Sequence, residues 1–437
     1  MKLRQKMTGL FALLVAVVVF AAGCSGGHNP GSAGANSAEN HDGTGQNTGT
    51  EPVSIMFWNM FGGGEGDFVD QIVKDFNSSQ DEVVVETLRL ESNEYYAKFG
   101  TALASGKGPD VAVAHLDRLA PFVKAGQLAP LDSLAGETGF DFNEITDSNV
   151  ESVSYDGVPY AVPIDTHFHM FYYNKDLLSE AGLLDADGMP ILGEISPEGF
   201  KQFLGKIKQQ LPDITPFGVN TPYFHEPFYN LYYQTGGEIL NEDLTAAAIN
   251  NENAVSVLNF YLDLYDSGYS DINDKTPWDT FHNGQSATWF GGVWEAGWHL
   301  GSEELNVGIM PIPAFFGSET HWSSSHTLVI PDYVTDEKQL AAMKFIQYFT
   351  LEGGKIWAQA GHVPTAKAVV ASEDYKNLPY REAFIHAQTT VKYAPKTDKY
   401  NSIDTVVKEI LQTIIFKQAT PEEGLKAMEE QINDILQ

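Results

Sequence analysis

The chain of 437 residues has one cysteine, Cys24, so its fold cannot contain an intramolecular disulfide. Cys24 closes an N-terminal segment in which a basic start precedes 13 apolar residues, 10–22. An apolar run of this length is typical of a secretory signal sequence and falls short of the roughly 20 residues that span a bilayer. Residues 1–23 are therefore predicted to be a signal peptide that is removed and takes no part in the mature fold.

The residues around Cys24 resemble a bacterial lipobox, in which the cysteine thiol receives a diacylglyceryl group and becomes the mature N-terminus. Ala22 and Gly23 are the small residues that precede such a cysteine, although Ala21 replaces the usual leucine. Two acyl chains make membrane anchoring stable. The resemblance implies a palmitate-bearing lipoprotein on the outer face of the cytoplasmic membrane. A soluble secreted protein with an incidental cysteine is the alternative.

Residues 24–52 are predicted to form a flexible tether. From Ser25 to Pro52 the chain has no Val, Ile, Leu, Met or aromatic residue, so this stretch cannot build a core. A flexible chain of this length reaches about 30 Å, which lets a folded body move above a membrane.

The folded body, residues 53–437, is longer than one hydrophobic core usually supports, which predicts two domains. The formal net charge of the chain is −32. Such a surface repels phosphate backbones, so the composition argues against nucleic-acid binding. Because no later apolar stretch is long enough to span a bilayer, another chain is expected to cross the membrane.

Strand and helix patterns alternate in the first third of the body. Strands are predicted over 54–58, 83–90 and 111–114, and helices over 68–76, 95–103 and 116–125. This order predicts an α/β layer with a largely parallel sheet, whose ligands usually lie at the carboxyl ends of strands. Four residues fall at those ends: Trp58, His115, Asp117 and Arg118.

A second block begins at Tyr160, and residues 161–165 are interpreted as a crossing between lobes. Further elements are predicted from caps and periodicity. They are a helix opened by Ser196 and Pro197, a strand over 217–219, a helix over 252–267, an extended segment over 286–290, and helices over 337–350 and 353–360. Thr420 and Glu423 predict a capping box for the closing helix.

Aromatic residues lie beside glycine or proline in several predicted loops, at 58–59, 223–225, 289–294 and 321–326. A flat indole matches the C–H face of a sugar ring, while Asp, Asn, His and Arg bind its hydroxyl groups. The pattern predicts a neutral polar ligand. The alternative is that these aromatics belong to a core or an interface. Trp298 and Trp357, inside predicted helices, are assigned to the core.

Two other kinds of site have weaker support in the sequence. The glycine loop 62–66 is spaced differently from a dinucleotide-binding fingerprint, since Asp67 stands where the third glycine belongs. His167 and His169 alternate on one extended stretch, so they face the same side and would make a metal pair with Glu295 or His225.

A third alternative chemistry is glycoside hydrolysis, for which Asp165, Asp117 and Glu295 are candidate carboxylates. The sequence contains no information on the separation between them, and an acid and a base cannot be assigned without it. No metal, no cofactor and no catalytic residue is predicted.

The order of segments resembles the extracellular solute-binding proteins of bacterial ABC importers, in the sugar-binding group related to maltose-binding protein. The likeness covers residues 52–437. Its most specific pieces are residues 55–59 with the glycine loop, 95–111, 122–126, 158–163, 172–177 and 342–346. The resemblance implies an α/β fold of two lobes joined by three hinge crossings near Asp165, Ser325 and Pro379. The implied limits are 53–162 plus 327–378 for the N-lobe and 163–326 plus 379–437 for the C-lobe.

The resemblance also implies ligand contacts. Those that match family positions are Trp58 and Asn59 at the first strand end, His115, Asp117 and Arg118 after a later strand, Asp165 at the first hinge, Tyr223 as a stacking residue and Trp294 as a tryptophan platform. In relatives that platform follows Asn-Gly-Pro, whereas here the segment is Gly291-Gly292-Val293. Gly292, His167, His225, Trp322, His326 and Tyr400 are added from their positions in the chain.

The implied function is capture of a sugar or oligosaccharide by a monomeric, lipid-anchored receptor that docks on ABC permease subunits and has no enzymatic turnover. Two alternatives stay open: a secreted glycan-processing enzyme, and a binding protein for another solute such as a metal or a phosphate ester.

Overall fold

The computed structural model describes residues 51–437, apart from the side chains of residues 63, 64, 92 and 93. The predicted signal peptide 1–23, Cys24 and nearly all of the tether lie outside the described residues. None of the helices within 51–437 combines the length and the apolar character that a bilayer crossing requires.

Fourteen strands occur in the described residues. They are β1 (Val53–Asn59), β2 (Val83–Arg89), β3 (Val111–His115), β4 (Ser154–Tyr155), β5 (Val158–Pro159), β6 (Val162–Pro163), β7 (Asp165–Asn174), β8 (Thr215–Gly218), β9 (Ser286–Gly292), β10 (Val307–Met310), β11 (His321–Ser324), β12 (His326–Val329), β13 (Val363–Pro364) and β14 (Val391–Lys392).

Eighteen α-helices accompany these strands in the same part of the chain. They are α1 (Gly63–Ser79), α2 (Ser92–Ser105), α3 (Leu119–Lys124), α4 (Asp132–Thr138), α5 (Asp147–Val153), α6 (Lys175–Glu180), α7 (Pro197–Gln210), α8 (His225–Gln234), α9 (Glu252–Asp266), α10 (Pro277–His282), α11 (Ala296–Leu300), α12 (Asp336–Leu351), α13 (Gly354–Trp357), α14 (Lys367–Ala371), α15 (Glu373–Lys376), α16 (Arg381–Gln388), α17 (Tyr400–Ile415) and α18 (Pro421–Leu436).

The first lobe is built on a five-stranded sheet in the order β2-β1-β3-β12-β6. β1 runs parallel to β2 and β3, as the alternation of strands and helices predicts, whereas β12 is antiparallel to β3 and β6. A single core, drawn from residues 55–164 and 328–369, fills this lobe.

The second lobe is built around β7, a strand of ten buried residues that is antiparallel to β9, β10, β11 and β13. Its sheet is mixed rather than largely parallel. Because side chains alternate along a strand, Phe171 packs in the core on one side of the sheet and Tyr172 in the core on the other. His167 and His169 share the face of Phe171 and lie nearer the first lobe.

The chain passes between the lobes three times. β6 belongs to the first sheet and β7, two residues later, to the second; β11 and β12 make the return passage at residues 324–326. The third passage follows Val369, which packs in the first core, and precedes Tyr375, which packs in the second lobe. The predicted two-lobed α/β fold with three crossings is confirmed, and the exact domain limits stay predictions.

Local signals set several helix ends. The Ser196 hydroxyl accepts the Gly199 N–H at the start of α7, and Thr420 and Glu423 form the capping box of α18. The helix predicted over 116–125 is divided into a 3₁₀ turn, residues 116–118, and α3.

The two tryptophans that are predicted to be core residues, Trp298 and Trp357, differ in burial. Trp357 is fully buried in the first core. The prediction for Trp298 is wrong, because its side chain is 44% exposed and stacks on His282 with ring centroids 3.9 Å apart. Helical spacing alone does not show which face of the short helix α11 meets solvent.

Candidate functional site

A cavity of about 590 Å³, the central cavity, lies between the two lobes. It is bordered by ends of β3 and β9, by parts of β7, β11 and β12, and by the loop before α8. Nine of the predicted ligand-binding residues line it: His115, Asp117, Arg118, His167, Tyr223, His225, Trp294, Trp322 and His326.

The first lobe contributes a polar wall. β3 ends at His115, and the 3₁₀ turn that follows carries Asp117 and Arg118 into the lining of the cavity. The Tyr96 hydroxyl accepts the backbone N–H of His115 at 2.8 Å and shares a second hydrogen bond with its Nδ1 at 2.6 Å. Burial, followed by neighbouring imidazoles, lowers the pKa of His115 well below its usual value. His115 is therefore a neutral imidazole.

The second lobe contributes an aromatic wall. Trp294 lies in the turn after β9, Trp322 lies in β11, and Tyr223 lies in the loop before α8 with 53% of its side chain exposed. The imidazole of His169 packs beside both indoles, with ring centroids 5.3 Å from Trp294 and 5.2 Å from Trp322. One cavity thus has flat apolar faces from one lobe and hydrogen-bonding groups from the other.

Gly292, a predicted ligand contact, does not line the central cavity. It is buried at the end of β9, where its carbonyl accepts the Tyr172 hydroxyl at 2.7 Å. A Cβ atom at this position would meet the Trp294 ring at 2.1 Å. The role of Gly292 is to leave room for that indole, so the Gly-Gly-Val segment still supports a tryptophan platform.

Three more predicted contacts lie away from the central cavity. Asn59 is fully buried, and its Oδ1 accepts the Phe61 N–H at 3.3 Å. Trp58 lies on the opposite face of β1 and packs against the first core. The next two residues of the chain, Met60 and Phe61, do line the central cavity. Tyr400 is buried and borders a neighbouring cavity instead.

Asp165, the remaining predicted contact, is buried beneath the central cavity. Its carboxylate accepts hydrogen bonds from Nδ1 of His167 at 3.1 Å, from Nδ1 of His326 at 2.8 Å and from the indole of Trp357 at 2.9 Å. Nδ1 of His362 lies 3.4 Å from the same carboxylate. Burial raises the pKa of Asp165, but the imidazoles of His326 and His362 and two imidazole hydrogen bonds outweigh it and hold the pKa well below its usual range.

A second buried polar group lies behind the aromatic wall. Nδ1 of His169 accepts from the Asn230 amide at 3.0 Å, and its Nε2 lies 3.5 Å from the Glu226 carboxylate. Burial lowers the pKa of the adjacent His225 to about 3, so this imidazole is neutral at neutral pH. These groups orient the lining side chains without adding a positive charge.

The metal pair of His167 and His169, considered as an alternative, does not assemble. The two side chains share one face of β7, as the alternation indicates, but His167 bonds Asp165 while His169 faces Glu226. Glu295 lies in the wall of another cavity.

The three carboxylates considered for glycoside hydrolysis do not share one site either. Asp117 lines the central cavity, Asp165 is buried beneath it, and Glu295 accepts the Trp289 indole N–H at 2.8 Å. The glycine loop considered for a dinucleotide is where α1 begins, at Gly63.

Nine residues that line the central cavity were not predicted as contacts: Met60, Phe61, Gly62, Glu65, Glu91, Tyr96, Glu226, Ser324 and Lys408. His362, which lies beside Asp165 beneath the cavity, was not predicted either. Phe61 and Glu226 adjoin predicted contacts in the sequence, which is a signal that would have found them. Tyr96 was assigned to the helical stripe of α2. Lys408, in α17, and His362, before β13, are brought in only by the tertiary structure.

Two further cavities share walls with the central one. One, of about 580 Å³, shares Asp117, Trp322 and Ser324 with it. The other, of about 370 Å³, shares Tyr223, Glu226 and Trp294 and adds the indoles of Trp278 and Trp298. The three cavities together extend the site beyond the size of a single small ring.

Known proteins share this architecture. Residues 71–383 match a family described as bacterial extracellular solute-binding protein. The maltodextrin-binding protein of Bacillus subtilis is 24% identical over 383 residues, which cover 84% of this chain and 85% of that protein. The diacetylchitobiose binding protein of Streptomyces coelicolor is 23% identical over 402 residues, covering 87% of this chain and 89% of that protein.

A solved structure is similar over nearly its whole length. It is an ABC substrate-binding protein from Listeria monocytogenes in complex with cycloalternan, with a TM-score of 0.78 and 21% identity. The match covers 88% of this chain and 98% of that one. At this level of identity the likeness establishes the two-lobed fold.

Proposed function

This chain belongs to the bacterial extracellular solute-binding proteins, and on that premise we propose that it captures a sugar or an oligosaccharide between its lobes and delivers it to an ABC permease. The relatives named for maltodextrin and diacetylchitobiose binding support a saccharide ligand. Binding favours the closed arrangement of the lobes by the difference in contacts that the ligand makes in the two states.

The observation that carries the proposal is the division of the central cavity between an aromatic wall and a polar wall. Trp294, Trp322 and Tyr223 come from the second lobe, and Asp117 and Arg118 come from the first. A pyranose ring has an apolar C–H face and equatorial hydroxyl groups, so it satisfies both walls at once. A ligand held this way bridges the two lobes.

The neighbouring cavities favour an oligosaccharide over a single ring. Trp294 borders both the central cavity and the cavity that contains Trp278 and Trp298. Trp322 likewise borders both the central cavity and the neighbouring cavity of about 580 Å³. Successive sugar units would therefore meet a new aromatic face in each cavity.

The charges of the central cavity argue against a phosphate ester, one of the alternative ligands. Its lining includes four carboxylates, those of Glu65, Glu91, Asp117 and Glu226, and two cationic side chains, Arg118 and Lys408. Arg118 lies 3.9 Å from Asp117, and Lys408 bonds Asp404. The four carboxylates outnumber the two cations in the lining, so a neutral ligand fits better than an anionic one.

We assign no enzymatic turnover to this protein, and place it as a monomer held at the outer face of the cytoplasmic membrane by lipid on Cys24. The three candidate carboxylates lie in different places, which supports the absence of turnover. The lipobox-like segment and the composition of the tether support the lipid anchor on Cys24.

Isothermal titration of the purified protein with mono- and oligosaccharides, followed by product analysis, tests the proposal. Trp294→Ala is expected to weaken saccharide affinity at least tenfold, about 1.4 kcal/mol. Trp58→Ala is the matched control, because this indole lies outside the central cavity and its loss should leave the affinity unchanged.

Saccharide binding without products, weakened only by the Trp294 change, supports the proposed function. Cleavage of the saccharide would instead identify the glycan-processing alternative. Binding of a phosphate ester with no saccharide binding would overturn the assignment of the ligand class.

A further inference from the structure

We infer that Asp165, His167, His326 and His362 form a binding site for a divalent transition-metal ion of the Zn²⁺ type beneath the central cavity. One ligand atom from each residue lies within 4.8 Å of the other three, and all four residues are buried. Three imidazoles and one carboxylate are a donor set that tetrahedral Zn²⁺ accepts. Two of the four residues, His167 and His326, also line the central cavity, so the ion would lie directly beneath the proposed saccharide ligand.

The spacing of the donor atoms suits such an ion. The Nδ1 atoms of His326, His167 and His362 lie 2.8, 3.1 and 3.4 Å from oxygens of the Asp165 carboxylate. Zn–N and Zn–O bonds of about 2.0–2.1 Å in a tetrahedron place ligand atoms about 3.3 Å apart. All four ligand atoms lie within 4.8 Å of one another, so the most distant pair would approach by up to about 1.5 Å to share one ion. His167 and His326 would bind it as the tautomer that carries the proton on Nε2.

His362 supplies a buried ring nitrogen that faces the cluster and has no hydrogen-bond partner in the described part of the chain. Its side chain is 0% exposed, and its Nδ1 has no hydrogen-bond partner among the described residues. Its Nε2 lies 2.6 Å from the Glu65 carboxylate and is assigned as the donor of that bond. Because Nδ1 faces the Asp165 carboxylate across 3.4 Å, a proton or a metal ion between the two groups is needed to offset the repulsion between their lone pairs.

The surroundings of His362 hold its ring in this orientation. The ring stacks on Trp357 with centroids 4.4 Å apart and planes 5° from parallel. A carboxylate bonded to the far nitrogen of a ligating imidazole is the usual outer partner of a zinc-binding histidine, because it fixes the tautomer and raises the basicity of the ligand. Glu65 has this relation to His362.

The position of the site gives the ion a structural role. Asp165 starts β7 at the first crossing, His326 starts β12 at the second, and His362 lies in the segment that leads to the third. One ion would tie all three connections between the lobes. Imidazole donors favour Zn²⁺, Co²⁺ or Ni²⁺ over Mg²⁺ and Ca²⁺, which prefer oxygen ligands.

The test uses the purified protein, stripped with a chelator and then exposed to Zn²⁺, Co²⁺ or Mg²⁺. Metal retained after gel filtration is measured by mass spectrometry, and thermal unfolding is recorded with and without each ion. We expect one Zn²⁺ per chain, a rise in Tm with Zn²⁺ but not with Mg²⁺, and a visible Co²⁺ spectrum of tetrahedral type.

His362→Gln should remove the retained Zn²⁺, the rise in Tm and the Co²⁺ spectrum. His321→Gln is the matched control, because His321 is also fully buried but lies outside the cluster, and it should retain all three. Should His362→Gln not fold, Glu65→Gln keeps the four ligands and is expected to weaken Zn²⁺ binding at least tenfold, as loss of an outer partner typically does.

Three outcomes would overturn the inference. They are no retention of Zn²⁺ by the wild-type protein, equal retention by the wild type and His362→Gln, and a Co²⁺ spectrum of octahedral type. The first would mean that a proton bridges His362 and Asp165, and the second that surface groups bind the metal. Saccharide titrations of the same stripped protein report separately on the proposed function.

Discussion

A Cβ atom on Gly292 would lie 2.1 Å from Cε2 of Trp294, so the indole fills the volume that any side chain at position 292 would need. The backbone of Gly292 is extended, with φ −73°, a conformation that every residue adopts. The requirement for glycine is therefore one of space. It links a buried residue at the end of β9 to the aromatic wall of the central cavity.

Gly292→Ala is expected to displace the Trp294 ring and to lower saccharide affinity at least tenfold, about 1.4 kcal/mol, as measured by calorimetry. Gly136→Ala is the matched control, because nothing lies within 4 Å of a Cβ atom at this position in α4. The control should bind saccharide normally. Normal binding by the Gly292 variant would show that the position of the indole does not matter to the ligand.

Acidification is expected to destabilise the protein in part through His321. This residue is fully buried; its Nε2 donates to the Ala387 carbonyl at 3.0 Å, and its Nδ1 has no partner among the described residues. Burial lowers its pKa to about 4, while the Ala387 carbonyl and Glu319 oppose the shift and the imidazoles of His386 and His169 add to it.

The direction of the pH effect comes from the lowered pKa of His321. The unfolded chain takes up the proton near pH 6.5 and the folded protein only near pH 4, so this contribution to stability is complete above pH 6.5 and is lost as the pH falls toward 4. Urea unfolding at several pH values should show a smaller loss for His321→Gln than for the wild type. His386→Gln, an exposed control that removes only a minor cause of the shift, should behave much as the wild type does. Equal losses in all three proteins would remove His321 from the explanation.

Thr420→Ala is expected to destabilise the second lobe by about 1 kcal/mol. The Thr420 hydroxyl accepts the Glu423 N–H at 3.2 Å, and the Glu423 carboxylate accepts the Thr420 N–H at 3.1 Å. The substitution leaves the Glu423 N–H without its side-chain acceptor at the start of α18. Thr405→Ala, at an exposed site inside α17, should cause no loss in urea unfolding. A cap variant as stable as that control would mean that tertiary packing alone holds α18.

Cys24→Ser is expected to release the protein into the medium with its saccharide affinity intact. The proposed lipid is carried by this thiol, and the composition of residues 25–52 separates it from the folded body. Cell fractionation and calorimetry of the released protein check the two halves of the expectation. Ser25→Ala keeps the cysteine and should stay with the membrane. Loss of binding together with anchoring would contradict the separation of tether and receptor.

Much of the fold is encoded in local patterns. The glycine-bounded strands, the Ser196 cap and the Thr420 capping box act over a few residues, so periodicity and caps identify them in a single sequence. β12 shows the limit of this approach. It inserts between β3 and β6, and that placement depends on partners more than 150 residues away.

The candidate site likewise has some residues that the sequence identifies and others that only the tertiary structure brings together. The sequence by itself determined which side chains carry the chemistry, because aromatic and polar residues such as Trp294, Trp322 and Asp117 stand out beside glycine, serine and strand ends. It also determined the alternation that gives His167 and His169 one face of β7. Neither inference needs more than the geometry of a strand and the chemistry of a side chain.

Only the tertiary structure decided which of these residues meet. Trp58 lies two residues from the cavity lining and packs in the core instead, because consecutive positions of β1 face opposite sides of the sheet. His362 joins Asp165 from 197 positions away along the chain, since β13, which follows it, pairs with the start of β7. A local pattern fixes the direction of a side chain, whereas its partners are set by how distant segments pack together.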